Sequence, residues 1–98
     1  MFARVSTISG NPQDITKLVT HLRDNVLPSA RQLPGFMGVL TLADRSSGKT
    51  LSVTLWESEE AMKDSEEAAK KIRQDAVSAL GEEILSVERF EVVLDEKR

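Results

Sequence analysis

The six residues Asp44-Arg45-Ser46-Ser47-Gly48-Lys49 lie between two runs with strand spacing, and that hairpin constrains everything around it. Downstream, Thr50–Trp56 sets Leu51, Val53 and Leu55 against Ser52, Thr54 and Trp56, the period of two expected of a half-buried strand. Upstream, Phe36–Ala43 is a second strand-length run, and Gly48 is placed for the positive φ that closes such a loop. The hairpin commits two neighbouring strands to antiparallel pairing.

A helix and a further strand flank the hairpin on each side. Phe2–Ile8 has strand composition, and Ser9-Gly10-Asn11-Pro12 breaks it. Asn11 can cap the helix that follows, Pro12 suits its first position, and Asp14 favours the positive end of its dipole. Ile15, Leu18, Val19, Leu22 and Val26 recur with helical period, and Leu33 returns to the same stripe. This first helix is therefore expected to kink at Pro28 and run to about Gln32 before Pro34-Gly35 ends it. After the hairpin, Ser58 caps a second helix with Glu59 and Glu60 in its first turn. Its expected inner stripe is Ala61, Met62, Ser65, Ala69, Ile72, Ala76 and Leu80, mostly small residues. Such a stripe fits close helix–sheet packing or a cavity above it. Glu59/Lys63, Glu66/Lys70 and Glu67/Lys71 are spaced to pair along the outer face. Gly81 stops this helix, and Ile84–Leu94 is expected as a long last strand.

Strand–helix–strand–strand–helix–strand predicts a ferredoxin-like α+β fold: a four-stranded antiparallel sheet with both helices on one face, as one domain over residues 1–98. The other face needs a cover. Leu51, Val53, Leu55 and Trp56, then Phe90, Val92, Val93 and Leu94, place large apolar residues on both faces of the third and fourth strands. A chain of 98 residues buries only roughly two-thirds of its unfolded surface. With no cysteine and a single histidine, disulfides, thiolate metal sites and multi-histidine metal sites are excluded. Self-association remains as the supplementary source of stability, so a homodimer through the sheet face is expected.

Net charge is −3 with no basic block, which argues against nucleic acid or an anionic membrane as partner. No apolar run approaches membrane-spanning length and the N-terminus lacks a signal peptide's apolar region, so a cytoplasmic location is the default expectation.

Few residues invite chemistry. Ala43-Asp44-Arg45-Ser46-Ser47-Gly48-Lys49-Thr50 resembles a phosphate-binding loop with alanine for its first glycine. That motif needs a helix N-terminus behind it, and here a strand follows, so it reads as a turn. His21 is the one side chain with an ordinary pKa near neutrality and a candidate general base. It sits on a flank of the first helix with Asn25 at contact spacing, and the surface reading outweighs the catalytic one. Trp56, the sole tryptophan, either fills the core edge or walls an apolar pocket with its indole N–H aimed at a ligand, opposite Met62 and the alanine-rich stripe. Arg4, Arg89 and Glu91 interrupt strands, as charged residues do at edges, at solvated ends or in pairs across a dimer interface.

Leu55-Trp56-Glu57-Ser58-Glu59-Glu60-Ala61, preceded by Leu33-Pro34-Gly35-Phe36, resembles the antibiotic biosynthesis monooxygenase-like group of the dimeric α+β barrel superfamily across nearly the whole chain. The resemblance implies two sheets joined into a barrel with the helices outside. It implies activities ranging from cofactor-independent oxygenation of aromatics to haem degradation; the expected ligand pocket is Trp56, Met62 and Phe36. The haem-degrading branch uses an asparagine in the first strand, a tryptophan after the third and a histidine in the second helix. Only Trp56 is matched, which weighs against haem degradation; the aromatic-oxidising branch also uses tyrosine, and this chain has none.

Two functions follow as expectations. One is a monooxygenase needing no metal or cofactor and acting on a small aromatic, with Arg4, Thr7 or His21 aiding deprotonation. The other is a non-catalytic ligand-binding or assembly module on the same fold. A lactone isomerase or decyclase would need acid/base groups that the sequence does not offer.

Overall fold

The strand that opens the chain, β1 (Phe2–Ser9), sits at the middle of the sheet in this computed structural model of residues 1–98. The hairpin strands β2 (Phe36–Ala43) and β3 (Lys49–Trp56) lie to one side of it and β4 (Glu83–Glu91) to the other, giving the order β2-β3-β1-β4. Every pairing is antiparallel, which is the ferredoxin-like arrangement. The hairpin closes as expected. Asp44 N–H donates to the Lys49 carbonyl over 2.8 Å, Gly48 N–H to the Asp44 carbonyl over 2.9 Å, and Gly48 has φ +83°.

Register sorts the sheet into two faces. Arg4, Ser6 and Ile8 share one face with their partners Thr54, Ser52 and Thr50, and the helices cover it. Ala3, Val5 and Thr7 share the other with Leu55, Val53 and Leu51, continued on β2 by Leu40 and Leu42 and on β4 by Phe90. Nothing in the chain covers that second face: Leu40 is 56% exposed and Phe90 49%. The last strand is shorter than its composition predicts. It ends at Glu91, and Val93 and Leu94 project from the tail beyond it.

The first helical segment continues through Pro28, by a route that periodicity does not reveal. After a 3-10 turn (Pro12–Asp14) capped by Asn11, α1 (Ile15–His21) passes into a π-helical turn (Leu22–Val26) and then α2 (Leu27–Ala30). Leu27 N–H reaches back five residues to the Leu22 carbonyl. A proline ring collides with the carbonyl four residues before it in a regular helix, and the wider turn relieves that contact.

The second helix is two helices rather than one. Ser58 caps α3 (Glu59–Asp64), its hydroxyl accepting from Ala61 N–H over 3.0 Å. The helix is interrupted at Ser65, and α4 (Glu66–Leu80) ends at Gly81 with φ +67°. Of the three surface pairs expected by spacing, Lys63–Glu59 forms at 2.7 Å. Glu66 instead turns towards the sheet, where two arginines hold it.

Candidate functional site

Arg4 organises the space between the helices and the sheet. It is neither at an edge nor at a solvated end: it occupies the central strand and is 2% exposed. Its Nη2 donates to the Met62 carbonyl over 2.7 Å and to Ser65 Oγ over 3.0 Å, and lies 3.2 Å from Glu66 Oε1. Ser65 Oγ also donates to the Met62 carbonyl, over 2.7 Å. The break between α3 and α4 frees that carbonyl from helical bonding, and Arg4 holds the junction to the sheet. Its guanidinium carbon lies 5.2 Å from the centre of the Trp56 ring, within cation–π range.

Glu66 completes the network. Arg89 Nε and Nη2 grip its two carboxylate oxygens at 2.9 and 2.7 Å, the bidentate geometry that guanidinium and carboxylate share. The hydrogen bonds from Arg89, aided by the charge of Arg4, hold the Glu66 carboxyl down at about 2 against the opposing effect of burial. Burial pushes Arg4 below the ordinary arginine value, with Glu66 partly restoring it. Arg89 therefore pairs with α4 within its own chain.

Trp56 is 1% exposed and meets Phe36 edge to face, with ring centres 5.6 Å apart and planes at 74°. Its indole N–H donates to Thr54 Oγ1 over 3.0 Å on the same strand, so that donor is spent on the scaffold and not offered to a ligand. The ring nevertheless walls a chamber of about 80 Å³. The chamber's floor is Arg4, Ser6, Ile8, Ser52 and Thr54, and its roof combines Leu22 and Val26 of the π turn with Ala69, Ile72, Arg73 and Ala76 of α4. The small-residue stripe therefore leaves a cavity above the sheet. A second chamber of about 180 Å³ shares Leu22, Val26, Ala30, Ser52 and Thr54 with the first and extends to Phe36.

The remaining candidates lie elsewhere. Met62 is buried but faces the cleft with Phe2, Glu59, Arg89 and Phe90, and only its carbonyl takes part in the Arg4 network. Thr7 pairs with Leu51 and Ser86 on the uncovered face. His21 lies outside both chambers, its Nδ1 3.2 Å from Asn25 Nδ2. Arg73 and Glu66 were not singled out in the sequence as site residues. A buried arginine on β1 requires a carboxylate partner, and that requirement was the signal for Glu66.

No protein-family profile matches this sequence. An uncharacterized protein of Mycobacterium tuberculosis, Rv2558, is 37% identical over 76 residues, covering 78% of this chain; the chain spans about a third (32%) of that relative's length. Among solved structures, an antibiotic biosynthesis monooxygenase candidate of Deinococcus radiodurans superposes with a TM-score of 0.67 at 22% identity, covering 100% of this chain and 98% of that one. The Streptomyces coelicolor monooxygenase from the gene ActVA-Orf6, solved with the ligand nanaomycin D, gives 0.69 at 22% identity over 97% and 92% of the two chains. MhuD, a haem degrader of Mycobacterium tuberculosis solved with two haems in its active site, gives 0.70 at 22% identity over 99% and 100%. The chain has the fold of the antibiotic biosynthesis monooxygenase-like proteins.

Proposed function

We propose that the protein is a homodimer, joined through its uncovered sheet face, that binds a small aromatic molecule in the chamber beside Trp56. The carrying observation is the chamber itself, an apolar space between Trp56 and the small residues Ala69 and Ala76 of α4. Neither chamber reaches the ~300 Å³ typical of drug-sized sites, so the ligand is a compact molecule of one or two rings. Support for the class comes from the S. coelicolor protein of the same fold, which binds nanaomycin D.

Calorimetric titration with one- and two-ring aromatics tests this reading. Binding that is lost in Trp56→Ala supports it; no binding by any of them at millimolar concentration defeats it.

Cofactor-independent oxygenation is a second reading, favoured by the likeness to the S. coelicolor monooxygenase. Arg4 and Arg73 are the ionisable side chains that line the chamber, and an arginine stays protonated, so neither serves as a general base. The substrate's proton would pass to solvent water, with the two cations stabilising the anion left behind. Oxygen uptake in one-to-one proportion to a bound aromatic supports catalysis. Binding without oxygen uptake leaves a ligand-binding module.

A further inference from the structure

Arg4 uses one of its three nitrogens. Nη2 meets Met62, Ser65 and Glu66, while Nε and Nη1 are buried with no partner, as is Nε of Arg73. Both arginines line the chamber beside Trp56, and no acidic residue does. Buried charged donors left unmet are costly, and a native fold retains them where something else meets them. Glu66 is the one carboxylate bonded to this cluster, and Arg4 and Arg89 already share it. Counting Arg73, three cations face one anion, in a chain whose overall charge is −3. Arg4 and Arg73 line one chamber, and there burial lowers Arg73 from its ordinary value while repulsion from Arg4 lowers it further.

We propose that the chamber selects an aromatic carboxylate, its ring against Trp56 and Ile72 and its carboxylate taken up by the free N–H groups of Arg4 and Arg73. The planar, two-oxygen carboxylate matches guanidinium geometry better than a neutral oxygen does. This rests on the reading of the chamber as an aromatic site, and adds the charge of what it holds.

The test is calorimetry of the full chain with 2-naphthoate and with 2-naphthamide, a neutral molecule of nearly the same shape, at pH 7. Naphthoate should bind at least about ten-fold more tightly. Arg73→Gln should bring that ratio close to one, and Arg73→Lys should restore part of it. A purely structural role for Arg73 would weaken both ligands equally and leave the ratio unchanged. Arg73 carries the test because Arg4 also anchors the α3–α4 junction. Equal affinity for the two ligands overturns the charge selection while keeping the aromatic site. Binding of neither overturns both. A naphthoate preference that survives Arg73→Gln overturns the assignment to these arginines.

Discussion

Replacing Glu66 with glutamine removes one charge from the network and little volume. The carboxyl sits at about 2 in the fold against an ordinary value of 4.5, which bounds the stabilisation of the charged form at roughly 3 kcal/mol. Glu66 is 29% exposed and Arg89 44%, so solvent screening reduces this to about 2 kcal/mol. With a urea m-value of about 1–1.5 kcal/mol/M for a small domain, Glu66→Gln should lower the unfolding midpoint by roughly 1.3–2 M at pH 7. Trp56 is the only tryptophan and is buried, so its fluorescence follows the transition; protein concentration must be held fixed because the proposed self-association would add to apparent stability. The folded-state pKa lies below the unfolded one. Native protein therefore keeps this stabilisation above about pH 4.5 and loses it as pH falls towards about 2. Glu66→Gln should lack that part of the acid profile. Combining Glu66→Gln with Arg4→Met, which removes the buried one of the two cations left unpaired, should cost at least about 1 kcal/mol less than the sum of the two single changes. A Glu66→Gln loss under about 0.5 kcal/mol, or an acid profile identical to native, would refute the keystone role of this carboxylate.

Other outcomes follow from the same geometry. Gly48→Ala should destabilise by about 2 kcal/mol or more in thermal denaturation, since it adds a Cβ at φ +83° directly against the Gly10 carbonyl; an unchanged midpoint contradicts this. Arg4→Ala should cost about 3 kcal/mol in urea unfolding, because it empties a buried site under Trp56 and releases the α3–α4 junction. A cost below about 1 kcal/mol would count against that role. Leu40→Asp on the uncovered face should convert a dimer into a 10.8 kDa monomer in sedimentation at micromolar concentration. If the native chain already sediments at that mass, the proposed dimer is wrong.

The parts of this fold legible in the sequence are those set by local chemistry. Alternation at Leu51–Trp56, the Gly48 turn, the Ser58 cap and the Gly81 stop each act within a few residues, and each stands where its pattern puts it. What depends on distant partners was less visible. Glu66 stands at ideal spacing from Lys70, so helix rules assign it outward; a buried arginine 62 positions earlier draws it inward. Trp56 is legible as a pocket wall, but alternation shows only that Thr54 shares its strand face, not that the Thr54 hydroxyl occupies its N–H. Val92–Leu94 have strand composition, yet the strand stops at Glu91: Val92 N–H still bonds the Met1 carbonyl over 2.9 Å, while Val93 and Leu94 stand exposed beyond it.

The π turn at Leu22–Val26 bears on how the chamber can change over evolutionary time. Its extra backbone residue shifts the phase of everything after it in the helix, and Leu22 and Val26 face both chambers. Deleting one residue here would restore α-helical phase and swing a different side chain over the cavity, leaving every strand register intact. The size of the chamber can thus be retuned by a single-codon gain or loss in one helical turn, while β1 and α4, which carry Arg4 and Arg73, stay as they are.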